Sequence, residues 1–218
     1  MTETQLRDEI VRVGRSLFER GYVHATAGNI SCRLDNGFLI TPTDACLGFL
    51  DADRIARVDA HGSWLAGDKP SKTLALHQHI YTADPGAACV IHTHSTHLVA
   101  LTLTRTTGEP ELLPPITPYF VMKIGHVPLI PYHRPGSPQT GVLVEQQILQ
   151  ARKKGSPICA VMLDRLGPNV WSETPGGAMA ILEELEETAK LWMLSRHSAT
   201  PLSSDQIEEL RQAFGARW

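Results

Sequence analysis

The short apolar run Ala87-Ala-Cys-Val-Ile-His92 constrains the fold more than any other segment. Its apolar residues are continuous rather than alternating, which suits a strand buried on both faces, and such a strand needs helices on each side of its sheet. The chain supplies them. Leu6, Ile10, Val13 and Leu17 recur at helical spacing within Thr4 to Arg20, Thr2 and Gln5 form a capping box before them, and Gly21 is a natural stop. Leu74, Gln78 and Tyr81 mark a helix from Pro70-Ser71 to Tyr81, with Ser71 as its N-cap. Further helices are expected over Leu98 to Thr104, Val142 to Gln150 and Pro175 to Arg196, the last with Ile181, Leu185, Thr188 and Trp192 on one face. Ser203 and Gln206 cap a final helix carrying Ile207, Leu210 and Phe214.

Between Tyr22 and Val58 the text changes to short apolar runs broken by Gly, Asn, Asp and Pro. Ala27 to Cys32 and Gly37 to Thr43 read as strands, with loops at Gly28-Asn29 and Thr43-Asp44. Ile158 to Leu163 is another strand. Pro114 to Pro138 holds seven prolines and is expected to be mostly extended, with a short strand over Val127 to Ile130. Helices packed on a central mixed sheet imply a layered α/β/α fold. No linker-like composition splits residues 1–218, so one domain is expected, with its core over about 6–194 and a C-terminal helix over 203–214.

With 218 residues the chain can bury roughly 70% of the surface its unfolded form exposes. Twenty basic and 23 acidic residues, both signs scattered, give a net charge of −3 and argue against a nucleic-acid partner. No apolar stretch approaches the roughly 20 residues needed to span a bilayer, so no membrane partner is expected. Cys32, Cys46, Cys89 and Cys159 lie far apart with no Cys-x-x-Cys pair, and no charged and then apolar signal segment opens the chain. Reduced thiols and a cytoplasmic location follow as expectations.

Chemistry is expected at Ile91-His-Thr-His-Ser95. Alternate residues of a strand point the same way, so His92 and His94 can present two imidazoles to one divalent ion such as zinc. Two strand-end histidines bonded to backbone are the competing reading of the same text.

Four motifs in order resemble the class II aldolase family, which includes fuculose-phosphate and rhamnulose-phosphate aldolases and ribulose-phosphate 4-epimerase. They are Gly28-Asn29-Ile-Ser31, Ile40-Thr-Pro-Thr-Asp44, Lys69-Pro-Ser-Lys72 and Ile91-His-Thr-His-Ser95, followed by a similar turn at Ile130-Pro-Tyr-His-Arg-Pro-Gly136. The resemblance runs from Leu6 to about Leu194 and implies a class II aldolase-like α/β/α domain. It implies that Gly28, Asn29, Thr43, Asp44, Ser71 and Lys72 cradle a substrate phosphate, and that His92 and His94 hold the metal, Zn2+. It also implies a homotetramer in which Tyr119 of a neighbouring subunit acts as an acid. A serine at a helix start, a helix dipole and the Lys72 charge suit an anion on physical grounds as well.

Two positions depart from the family pattern. Thr73 stands where the aldolases carry a glutamate that serves as base, and Leu166, in Leu163-Asp-Arg-Leu-Gly-Pro168, stands where a third metal histidine is usual. His133 is the expected replacement ligand, because its turn already holds Arg134; His126, His97 and Asp164 are the other candidates. His77, His79 and His97 are expected to serve helix packing.

A missing base also discriminates between reactions. Loss of carbon dioxide from a β-keto acid reaches an enediolate without deprotonating carbon. The segments Asp44-Ala-Cys-Leu-Gly48, Gly67-Asp-Lys-Pro-Ser-Lys72, Pro118-Tyr-Phe-Val-Met-Lys123 and Leu182-Glu-Glu-Leu-Glu-Glu-Thr-Ala-Lys190 resemble one subgroup, the 3-oxo-tetronate 4-phosphate decarboxylases. That resemblance implies a carboxy-lyase acting on a small phosphorylated sugar acid, with Lys72, Arg134 and Lys123 balancing its charges and Lys72, Thr73 and Tyr119 near the chemistry. A sugar-phosphate aldolase or 4-epimerase is the alternative within enzymes, and a catalytically inactive binding protein of the same fold is the alternative outside them.

Overall fold

The computed structural model describes residues 1–104 and 111–218. Among them run the strands β1 (Asn29–Leu34), β2 (Gly37–Ile40), β3 (Ala56–Asp59), β4 (Trp64–Ala66), β5 (Cys89–His92), β6 (Leu129–Ile130), β7 (Ala160–Leu163) and β8 (Gly167–Ser172). They form one eight-stranded sheet in the order β4-β3-β2-β1-β5-β8-β7-β6. Every pairing is antiparallel except that of β6 with β7, so the sheet is mixed as expected. The helices are α1 (Glu3–Glu19), α2 (Leu74–Ala83), α3 (Thr96–Thr104), α4 (Pro118–Lys123), α5 (Pro138–Lys153), α6 (Pro175–Leu194) and α7 (Ser204–Phe214).

Strand alternation sorts side chains to two covered faces. Ile30, Cys32, Cys89, Ile91, Met162 and Val170 point to one face, where α1, α3, α4 and α6 cover them with Ile10, Val13, Leu98, Phe120 and Leu182. Val90, Val161, Leu163 and Trp171 point to the other, under Ile80 and Tyr81 of α2 and Val144 and Ile148 of α5. β5, the apolar run, is buried along its whole length. All four cysteines are free thiols, with Cys32 and Cys89 facing each other across β1 and β5 in the buried layer.

The capping boxes at Thr2 and Ser203 form as expected and start α1 and α7. Three other elements differ from expectation. The proline-rich stretch contains α4, because the Thr117 hydroxyl accepts from the Phe120 N–H at 3.1 Å and Pro118 occupies the first turn, where its missing N–H costs nothing. α2 begins at Leu74 rather than at Ser71; Ser71 and Thr73 form a turn instead, joined hydroxyl to hydroxyl at 3.0 Å. β8 begins Gly167-Pro168, a pair that reads as a break yet enters the sheet beside β5 and β7.

Candidate active site

At one end of the sheet a cavity of about 470 Å³ lies between β1, β5 and the start of α2 on one side and the 134–141 segment leading into α5 on the other. Gly28, Asn29, Thr43, Asp44, Ser71, Lys72, Thr73, His92, His94 and Arg134 all line it. Positions far apart in the chain therefore meet at one place, because β1 and β5 are neighbours and α2 enters the sheet at the same end.

His92 closes β5 opposite Asn29 of β1 and Asn169 of β8. Its Nδ1 lies 2.8 Å from the carbonyl oxygen of Pro168. A carbonyl only accepts, so this contact assigns the hydrogen to Nδ1 and leaves the Nε2 lone pair facing the cavity. The rings of His92 and His94 are 5.1 Å apart at 69°. Two imidazoles bound to one tetrahedral ion at about 2.0–2.1 Å per nitrogen have ring centres roughly 5 Å apart, so the pair fits a shared divalent metal.

Burial holds His92 at a pKa of about 4; the neighbouring His94 adds to the fall and the Pro168 carbonyl opposes it. His94 is lowered by burial and then by His24. Both rings are therefore neutral near pH 7, the protonation state a metal requires. Among the described residues, however, no three His, Cys, Asp or Glu side chains already surround one point.

The other half of the cavity is built from two loops tied together. Thr43 donates its N–H to the Lys69 carbonyl at 2.9 Å and Ser71 donates to the Thr41 carbonyl at 3.2 Å, while Thr41 Oγ1 accepts from Ile30 N–H at 3.1 Å. Asp44 adopts the left-handed region at φ 57°, which bends the loop back at the cavity. Gly28 has φ 84°, and a Cβ there would lie 2.8 Å from the His92 carbonyl oxygen. Only glycine lets the start of β1 approach β5 so closely. The Ser71 and Thr43 hydroxyls and Lys72 give this half the donors and the positive charge that suit a phosphate.

Two expected members lie elsewhere. His133 lies outside the residues that line the cavity, with its Nδ1 directed to the Pro131 carbonyl at 2.7 Å. Tyr119 stands at the start of α4, 59% exposed and away from this chain's own cavity, with Lys123 over its ring at 5.5 Å. Lys123 itself lines a separate cleft beside Arg152 and Arg217. The other candidate ligands are engaged or remote. His97 binds Glu186 at 2.8 Å, His126 binds Glu111 at 2.9 Å, and Asp164 does not line the cavity, although Leu166 does.

Sequence reasoning missed four residues at the site. His24, outside the lining residues themselves, has its ring 6.4 Å from that of His94. His79 lines the cavity and pairs with Glu145 of α5 at 2.5 Å, its ring packed so tightly on Gly141 that a Cβ there would come within 2.3 Å. His77, beneath the pair, is fully buried with Nδ1 on Ser31 Oγ at 2.7 Å and Nε2 unpaired, and Asn169 is fully buried with its amide unpaired. His24 precedes Gly28-Asn29 in the same loop, which was the available signal for it. His77, His79 and Asn169 carry no such mark.

The chain's similarities agree with this geometry. Residues 8–193 match the model of the class II aldolase and adducin N-terminal domain. A 3-oxo-tetronate 4-phosphate decarboxylase of Cupriavidus necator is 53% identical, over 100% of this chain and 99% of that protein. The Escherichia coli protein of the same name is 40% identical, over 96% of each. The crystal structure of YgbL from Klebsiella pneumoniae superposes with a TM-score of 0.85 at 40% identity, covering 97% of this chain and all of that one. An L-fuculose 1-phosphate aldolase shares the fold, with a TM-score of 0.83 at 23% identity over 99% of this chain and 98% of that one. Matched over most of its length by the family's own model, the chain belongs to the class II aldolase and adducin family.

Proposed function

We propose that this chain is a metal-dependent carboxy-lyase that converts a 3-oxo-tetronate 4-phosphate to dihydroxyacetone phosphate and carbon dioxide. The observation that carries the reading is the meeting of an anion cradle and a neutral imidazole pair in one cavity whose position 73 is a threonine. A reaction that removes a proton from carbon needs a base there; a decarboxylation does not. This favours the decarboxylase over a sugar-phosphate aldolase or 4-epimerase, as do the names of the 37–53% identical relatives.

His92 and His94 would hold a divalent metal, Zn2+, whose contribution is Lewis acidity at the substrate ketone. Asn29, Thr43, Ser71 and Lys72 bind the phosphate and fix the distance from C4 to the reacting carbons. Arg134, at the rim, orients the carboxylate. When the C1–C2 bond breaks, its electron pair passes into the C2–C3–O unit, carbon dioxide leaves, and C2 takes one proton to complete dihydroxyacetone phosphate. Tyr119 from a neighbouring subunit is the proposed donor of that proton in a homotetramer; its exposure and its absence from the lining of its own cavity support that role.

A second reading, binding without turnover, is favoured by Thr73 and Leu166 in the cavity wall. One assay separates the two. The purified protein is loaded with zinc and given 3-oxo-erythronate or 3-oxo-threonate 4-phosphate, and carbon dioxide and dihydroxyacetone phosphate are measured. Equimolar products from wild type and none from His92→Ala are expected. Calorimetric binding of the substrate with no carbon dioxide would put the second reading in its place.

A further inference from the structure

We infer that His24 is the third protein ligand of the metal held by His92 and His94, supplied by the loop before β1 because the β7–β8 turn presents only Leu166 to the cavity. The inference rests on the metal-dependent reading above.

Position is the first argument. The His94 ring has two imidazole neighbours, His92 at 5.1 Å and His24 at 6.4 Å, at interplanar angles of 69° and 71°. Rings sharing a tetrahedral ion lie roughly 5 Å apart, so His92 and His94 are already spaced for one and His24 has to move closer to join them. No three ligands are pre-assembled among the described residues, and it is this gap that a movement of His24 would close.

Freedom to move is the second. His24 is exposed and its side chain makes no hydrogen bond among the described residues. The rings of His79, His97 and His133 are by contrast held in place through Nδ1, by Glu145, Glu186 and the Pro131 carbonyl. Turning an exposed, unbonded ring costs a rotamer preference, on the order of 1 kcal/mol.

The backbone beneath the ring is fixed, which is the third. Ser95 Oγ donates to the Tyr22 carbonyl at 3.3 Å, Val23 is buried, and Ala27 N–H donates to the His24 carbonyl at 2.9 Å. The 22–27 turn is thus pinned beside residues 93–95 while its His24 side chain remains free. The β7–β8 turn cannot contribute a comparable group. Gly167 packs so closely on the Thr93 backbone that a Cβ would lie 2.0 Å from the Thr93 oxygen, and Leu166 is the side chain this turn brings to the cavity.

The test is metal binding, independent of turnover. Metal-free full-length protein, and its His24→Gln, His24→Cys and His92→Ala variants, are titrated with Zn2+ by calorimetry and with Co2+ by visible absorption. His24→Gln is expected to keep the wild-type thermal midpoint without metal, since the side chain is exposed, and to bind Zn2+ about 100-fold or more weakly, at least the loss seen when a group supporting a ligand is removed. His24→Cys is expected to restore tight binding and add a sulfur-to-cobalt charge-transfer band. Unchanged affinity and spectrum in His24→Gln, with binding lost in His92→Ala, would overturn the role of His24 and leave the metal pair standing. Wild type that binds neither ion would overturn both.

Discussion

His92 on β5 and Pro168 on β8 are joined by an imidazole-to-carbonyl hydrogen bond of 2.8 Å, and this contact sets which nitrogen of His92 faces the cavity. The same carbonyl accepts the Thr93 N–H at 3.4 Å, so the ring is held by a backbone group that is itself part of the sheet. A ligand oriented this way is difficult to replace. His92→Ala should remove the metal and lower kcat/KM by about 1,000-fold or more, equivalent to about 4 kcal/mol of transition-state stabilisation. Metal content by mass spectrometry and steady-state kinetics check it; a variant that retained stoichiometric zinc would refute the assignment.

The buried imidazoles make a prediction about stability. Burial lowers His77 to about 3, with His92 adding to the effect, and His92 lies at about 4. An unfolded histidine titrates near 6.5, so below that pH the unfolded chain takes up protons that the native chain does not. The stabilising contribution is complete above pH 6.5 and is lost as the pH falls from there toward 3–4. Thermal midpoints of the metal-free protein should drop between pH 7 and pH 5, and His77→Gln, which stays neutral and can still reach Ser31, should flatten that slope. An identical slope in the variant would show that His77 is not its source.

Lys72 is exposed at the cavity and provides a full positive charge to the anion cradle. A charge-assisted hydrogen bond to a phosphate is worth about 1.5–3 kcal/mol. Lys72→Met should therefore raise KM about tenfold or more for the phosphorylated substrate, with a smaller effect on kcat because the phosphate does not react. Added salt should weaken the wild type more than the variant. Equal loss in kcat and kcat/KM with KM unchanged would place Lys72 at the chemistry instead.

The parts of this molecule that were legible in the sequence are those governed by short-range rules. α1 and α7 announce themselves by a hydroxyl and a glutamine three residues apart, and the caps form. β5 is legible because both its faces are apolar. α4 was hidden because prolines were weighed as breakers, although Thr117-Pro118 is a helix start, and β8 was hidden behind Gly167-Pro168. At the site, residues from the four motifs line one cavity, whereas the positions of His24, His77 and Asn169 depend on which strands become neighbours. No spacing rule brings His24 to His94; the pairing of β1 with β5 does.

Leu166 offers the most direct test of how the site is completed. Its turn is fixed against the metal strand, because Gly167 at φ 127° packs on Thr93 and His94, and the Leu166 side chain faces the cavity. An imidazole at 166 would thus project toward His92 and His94 from a backbone that is already in place. Leu166→His should tighten Zn2+ binding by about tenfold or more, since it supplies the third ligand from a turn already in place rather than from His24, which has to move to reach the ion. It should also make His24 dispensable: in the double variant with His24→Gln, the affinity lost by the single change at 24 should return. Calorimetric Kd values for the four proteins of this cycle give the coupling directly. Strict additivity, with the change at 24 costing the same whether 166 is leucine or histidine, would mean that the two positions do not serve one ion.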